Sequence, residues 1–408
     1  MHTREIRNFL ILSFGNIIEW YDFSLFSYYS TEMAKVFFPK ESNNIGVACI
    51  FLLFAVGFIA RPLGGVFLGK LGDKFGRRLS VRIAIYGMSI SSFLISFIPS
   101  YQSFGVCSIV LLTFLRLIQG VSAGGQFSGL MTITSSSTLN KRSFLSSISY
   151  SISTLGLLLA ISITYCLQQT TINNYYPIWR IAFLISGLLG IIYLFMNINR
   201  KENAVRQAKN KINILMLLKT QWQEILGITT LSIFFGSMYF FAYSYVYTML
   251  TNFLDYSILL SCKINIYFLI LGIISYPIFG YISDKTNKQL ISIIGAIFSI
   301  PSFLYLLNAS TLLSVLLSGT LIVLCHAAIT SGIISITAEV FLEQWKMTAS
   351  AMSYNLGIVL AGFFPLICQT LLSNNSRNIL IYPLFIIILL GLLGHYIIRK
   401  CQGYQYIT

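Results

Sequence analysis

Two carboxylates stand three residues apart in the first long apolar run of the chain, Glu19 and Asp22 in Gly15-Asn16-Ile17-Ile18-Glu19-Trp20-Tyr21-Asp22-Phe23. On a helix that spacing puts both acids on one face. The run from Phe9 to Phe14 precedes the pair and that from Ser24 to Ser30 follows it, so the acids fall well inside the segment. An acid held there faces a polar cavity or a partner, and its chemistry is proton exchange or pairing with a cation. Arg116, in Arg116-Leu117-Ile118-Gln119-Gly120, is the basic residue this reading puts deepest in an apolar interior, and its planar fork suits a carboxylate. The expectation is that one acid pairs with Arg116 and the other carries a proton. Glu19 is favoured as the carrier, because Asp22 has the shorter, stiffer arm for a fixed pair. Tyr239, Tyr243 and Tyr247 recur at four-residue spacing as one aromatic stripe, which packs helices or receives a cationic head group. Together with Tyr21, Gln119 and Asn355 they are the candidate lining of a cavity suited to a small zwitterion.

Other chemistries find no support. The seven cysteines are scattered, mostly within apolar runs, without metal-type spacing, and His2, His326 and His395 are dispersed. No metal site or cofactor is expected, and no nucleophile–base set points to an enzyme.

The elements that must position these residues follow from composition. Hydrophobic residues make up 56 % of 408 and charged residues 10 %, too few charges to cover a soluble protein of this size. Apolar stretches of membrane-crossing length recur near 9–30, 45–68, 81–99, 104–130, 143–166, 177–198, 224–250, 258–282, 289–308, 312–337, 348–373 and 378–398. The net charge of +15 suggests nucleic acid until its distribution is read. Lys35, Lys40, Lys263 and Arg377 fall on one face, and Arg61, Arg116 and Arg180 fall within spans. The remaining basic residues all lie in segments on the other face. That asymmetry is a positive-inside bias with both termini cytoplasmic, not a nucleic-acid patch. The first apolar run reads as a signal anchor. Residues 199–223, rich in Lys and Arg, divide the chain into two halves, 1–198 and 224–408, with a surface-lying amphipathic linker between them.

Between the second and third spans lies Arg61 to Arg78, RPLGGVFLGKLGDKFGRR, read as a short hydrophilic hinge. Gly69, Gly72 and Gly76 allow close approach there, and Asp73 can cap a neighbouring helix or pair with Arg77 and Arg78. The pattern Gly-x-Leu-Gly-Asp-Lys-x-Gly-Arg-Arg at 69–78 resembles the signature loop of the major facilitator superfamily. A weaker copy at 277–285, with Asp284 in the place of Asp73, falls at the equivalent position of the second half, as parallel repeats would place it. Asn287 and Gln289 stand there for a glycine and an arginine, so Asp284 is expected to matter less than Asp73. The Glu-Trp-Tyr-Asp-Phe run, the Arg61-Pro62-Leu63-Gly64-Gly65 lead-in and Trp179-Arg180-Ile181-Ala182-Phe183 resemble the metabolite:proton symporter branch. The chain departs from that branch in the fourth span. Gln126 replaces its usual glutamate after Gly124-Gly125, and Thr134 to Ser137 carry no acid.

The resemblance implies an all-α membrane protein of twelve helices in two pseudo-symmetric six-helix bundles that rock around a midplane site. It implies a monomeric secondary transporter in a bacterial inner membrane, importing a small organic metabolite by proton symport, with proline or betaine the favoured type. Its alternatives are a dicarboxylate or other organic-acid symporter of the same branch and an uncoupled facilitator. With the branch's usual acids missing, any coupling rests wholly on Glu19 and Asp22; Glu19, Asp22, Arg116 and Gln126 are the candidate proton-coupling or substrate residues.

Overall fold

A computed structural model describes residues 3–41, 43–75, 77–124, 142–170, 177–197, 214–252, 254–342, 346–374 and 377–405. Twelve helical spans run through them. They are α1 (Thr3–Tyr28), α2 (Asn43–Ile59 continued by Arg61–Phe75), α3 (Arg77–Ile95), α4 (Val106–Gly124), α5 (Arg142–Gln168) and α6 (Ile178–Asn197). The second half holds α7 (Trp222–Tyr239, a π turn Phe240–Tyr245, then Val246–Asn252), α8 (Ile258–Lys285), α9 (Lys288–Leu307), α10 (Leu312–Glu339), α11 (Lys346–Gly362 and Phe364–Asn374) and α12 (Ile381–Gln405). Each expected span finds its helix, with ends shifted by a few residues. In a bilayer core only a helix or a closed barrel satisfies its own backbone, which is why apolar length predicts these elements so well. The outward faces carry exposed Phe195, Leu63, Phe67, Phe298 and Leu313, the apolar surface that lipid covers.

The expected hydrophilic hinge is instead helix through Phe75. Arg61 follows directly on the end of an apolar run, and its side chain is buried. The surroundings of Gly69, Gly72 and Asp73 in that helix, and of Arg77 and Arg78 at the start of α3, lie outside what is described, as do Gly76 and Gln126 altogether. The linker reading at 199–223 also falls mostly outside them; Ile214–Thr220 is a short helix.

Helices α1 to α6 pack among themselves and α7 to α12 likewise. The two bundles meet along α5·α8, α2·α11, α1·α7 and α5·α10. Inside the first bundle α2 and α4 cross at glycines. A Cβ on Gly120 would strike the Gly57 carbonyl, one on Gly64 the Val121 carbonyl, and one on Gly124 the Arg61 carbonyl. Small residues let backbones approach this closely where lipid offers no hydrophobic drive.

Helix α5 carries hydroxyls on the face toward α1 as well as on the face toward the second bundle, and several close their bonds within the helix. Ser149 donates to Leu145 O, Ser151 to Ser147 O, Ser153 to Ser149 O and Thr154 to Tyr150 O. Two bonds cross the seam where a partner helix is irregular. Pro277 in α8 has no N–H for the Ile273 carbonyl one turn back, and Ser151 Oγ donates to that carbonyl at 2.9 Å. In the π turn of α7, the Ser244 carbonyl accepts from Ser27 of α1 at 2.9 Å, and the Tyr243 carbonyl from Asn265 of α8 at 3.0 Å.

Candidate functional site

Glu19 and Asp22 share one face of α1 and are both buried, but they do not share a partner. Glu19 is ion-paired and hydrogen-bonded to Arg61 of α2, with both side chains sealed from solvent. The Arg61 guanidinium also lies over the rings of Phe23 and Phe58 at 4.7 and 4.6 Å. Here the expected pairing is corrected. Arg116 donates to the Gln119 side chain at 2.9 Å and to the Phe54 carbonyl at 3.2 Å, and stacks over Phe26 at 3.9 Å. Among the described residues it forms no ion pair with either acid. Gln119 is the intermediary. Its amide oxygen accepts from Arg116, and its amide nitrogen donates to Asp22 Oδ2 at 2.7 Å. Ser92 of α3 donates to the same Asp22 oxygen.

The result is one ion pair, Glu19–Arg61, beside one relay, Arg116–Gln119–Asp22. Two guanidiniums stand against two carboxylates, and the carboxylate without an ion pair among the described residues is Asp22. The amide holds Arg116 and Asp22 apart while bonding to both, and Asp22 Oδ1 is left without a hydrogen-bond partner.

The aromatic stripe is broken by the π turn. Tyr239 and Tyr243 stay together at 5.1 Å between ring centroids, while Tyr247 sits farther along α7 against Tyr28 of α1 at 5.2 Å. Around the first two gathers a cluster that spacing did not reveal. Tyr276 of α8 donates to the Tyr243 hydroxyl at 3.0 Å and meets His326 Nδ1 of α10 at 2.9 Å. Tyr150 of α5 brings the first bundle into it, 5.1 Å from Tyr276 and 5.5 Å from Tyr239. His326 is the single imidazole in a long apolar helix, and nothing in sequence spacing ties it to α5, α7 or α8. Tyr21 does not join the cluster, because its hydroxyl donates to the Ala182 carbonyl of α6 at 2.8 Å. Asn355 faces α2 near Gly65 and donates to Ala351 O of its own helix. Among the described residues no group of His, Cys, Asp or Glu could hold a metal.

At the end of the seam expected to face the cytoplasm, the weaker motif copy forms a latch. Both carboxylate oxygens of Asp284 accept backbone N–H bonds from Ser143 and Phe144 at 2.9 Å, capping α5 from the other bundle. An acid at a helix N-terminus satisfies otherwise orphaned donors and opposes the helix dipole. Lys288 pairs with Glu339 at 2.6 Å, and Arg142 reaches the same carboxylate at 3.6 Å. Asn287, which departs from the motif, caps α9 through Gln289 and Leu290.

Comparison with known proteins agrees with the geometry. The proline/betaine transporter of Salmonella typhimurium is 28 % identical over 406 residues, spanning 93 % of this chain and 81 % of the relative. A glycine betaine/proline/ectoine/pipecolic acid transporter of Dickeya dadantii is also 28 % identical, over 403 residues, with 93 % and 80 % covered. A crystal structure of a D-xylose–proton symporter superposes with a TM-score of 0.76 at 18 % identity, covering 97 % of each chain. The inward-open xylose transporter of E. coli gives 0.70 at 17 % identity, covering 97 % of this chain and 96 % of that one. The family model described as Major Facilitator Superfamily matches residues 23–364. With its two helical bundles, its paired signature segments and its charges buried at mid-span, the chain belongs to the major facilitator superfamily and is a multi-pass membrane transporter.

Proposed function

We propose that this chain imports a small zwitterion of the proline or betaine type together with a proton, across a bacterial inner membrane, with both termini cytoplasmic. The halves 1–198 and 224–408 rock about the linker 199–223, and one copy suffices. The coupling ion is the proton, and no cofactor takes part. The observation that carries the reading is the division of labour on α1. Glu19 is neutralised by Arg61, whereas Asp22 is held by Ser92 and Gln119 without a cation in contact. Proton uptake at Asp22 removes a buried charge and changes what Gln119 and Arg116 can hold. That is how one titration can bias a rocking motion. The names of the relatives support the substrate type.

The uncoupled facilitator is the second reading. It is favoured by Gln126 and by the absence of an acid at Thr134 to Ser137. Uptake of labelled proline and betaine into vesicles reconstituted with the full chain separates the two. Symport requires accumulation that collapses with a protonophore and acidifies the lumen. Equilibration that a protonophore leaves unchanged means a facilitator, and uptake of neither compound removes the substrate assignment.

A further inference from the structure

We propose that the coupling proton leaves Asp22 by a path of its own inside the first bundle, along the line where α1, α3 and α6 meet, and that Ile18, Ile85 and Tyr193 are the plug that closes it. The inference rests on the reading of Asp22 as the coupling acid and adds a route and a gate to it.

The three helices pack against one another. Asp22 is bonded through one oxygen alone. Ser92 of α3 and Gln119 of α4 both donate to Oδ2, while Oδ1 has no hydrogen-bond partner. Ser186 of α6 faces the same carboxylate, yet its buried hydroxyl closes no hydrogen bond. One turn along α3 from Ser92 stands Ser89, also buried and also without a partner for its hydroxyl. Ser89 sits in the notch that Gly190 opens in α6, where a Cβ on the glycine would strike the Ser89 hydroxyl. Gly190 is one turn from Ser186, so both serines belong to one contact line between α3 and α6. Asp22 Oδ1, Ser186 and Ser89 are thus buried polar groups with unclosed hydrogen bonds, in sequence along that line. Water is the ligand that suits them, since a buried water closes about three hydrogen bonds with groups of this kind. The step is a plain transfer. The Asp22 carboxylic acid gives its proton to water and becomes a carboxylate, the serines orient the water without changing protonation state, and the proton passes on to the water of the cytoplasm.

The far end of the line is apolar. Ile18 is one turn before Asp22 on α1, Ile85 one turn before Ser89 on α3, and Tyr193 two turns past Ser186 on α6. These three pack together as a buried cluster apart from the main core, and Phe14 stacks on Tyr193 at 6.5 Å. With the N-terminus cytoplasmic, all three helices put this cluster on the cytoplasmic side of Asp22, where it bars water. The charged groups around Asp22 lie on other elements, Arg116 behind Gln119 on α4 and the Glu19–Arg61 pair between α1 and α2. The route to the cytoplasm therefore runs inside one bundle, away from the seam between the halves.

The test reads proton flow through the full chain in lipid vesicles with no substrate present. A pH jump is applied outside, potassium with valinomycin clamps the voltage, and a trapped pH dye reports the lumen. Asp22 opens to the outer side whenever the bundles part there, so a breached plug gives the proton an exit that needs no rocking. Ile85→Ser should raise the leak several-fold over wild type, and Ile85→Leu should not. Adding Asp22→Asn or Ser89→Ala to Ile85→Ser should return the leak to the wild-type level. Thermal unfolding checks that each variant is folded, and Ile18→Thr makes the same breach from α1 if Ile85→Ser does not fold. A folded breach with no extra leak, or a leak that survives either addition, overturns the path and leaves the symport reading standing. Wild-type uptake of proline or betaine that a protonophore leaves unchanged removes the symport reading, and the path with it.

Discussion

Asp22 and Glu19 differ in what their loss would do. Asp22→Asn removes a proton-binding group but keeps an acceptor for Gln119 and Ser92, so uphill accumulation should vanish while substrate exchange across the membrane persists. Uptake against counterflow in reconstituted vesicles reads both, and full uphill accumulation by Asp22→Asn would reject it as the coupling acid. Glu19→Gln leaves the Arg61 guanidinium buried without its counter-charge, a kind of loss that costs roughly 3–5 kcal/mol. It should lower the unfolding midpoint, and Glu19→Gln with Arg61→Gln should recover part of the difference. The acids themselves were legible, because carboxylates are conspicuous in an apolar run. Their partners were not. Arg61 follows directly on an apolar stretch and opens a polar one, so hydropathy assigns it to the loop side. Only the continuation of the helix through Phe75 carries it into the interior beside α1. Gln119 is a neutral residue between two charged ones, and no spacing rule marks an amide as a relay.

Among the elements, the ends and irregularities of helices make the contacts between halves. Replacing Asp284 by alanine removes the cap on α5, worth about 0.5–2 kcal/mol, and should shift the resting population toward a state open at that end. A cysteine placed at Ser147, which packs on Gly280 across the seam, should then react several-fold faster with a thiol reagent. An unchanged rate would mean that the cap does not latch the seam. Gly120→Ala tests the crossing of α2 and α4. The new methyl meets the Gly57 carbonyl, and overpacking of this kind costs about 1–3 kcal/mol, so the unfolding midpoint should fall with substrate preference unchanged. The twelve spans were legible because backbone self-sufficiency in lipid makes length and hydropathy sufficient. The π turn was not. A single extra residue in a turn leaves composition unaltered, yet it separates Tyr247 from Tyr239 and Tyr243 and frees a carbonyl for Ser27.

At the scale of the whole molecule, the basic residues predict its orientation in the membrane. A cysteine at Lys40 should be labelled by an impermeant reagent from outside intact cells and one at Lys74 should not; the reverse pattern would invert the molecule. The same scale gives the α5 seam a further meaning. Because Thr154 returns its hydrogen bond to its own helix, a movement of α5 against the second bundle does not orphan it. Among the described residues, the ties that the proposed rocking would break are discrete ones, namely the Asp284 cap, the Ser151–Ile273 bond, the Ser27–Ser244 bond and the aromatic cluster. Turnover should therefore respond to changes at those ties and hardly at all to Thr154→Val. Turnover is then expected to follow the number of ties broken per cycle rather than the area of the surfaces that part.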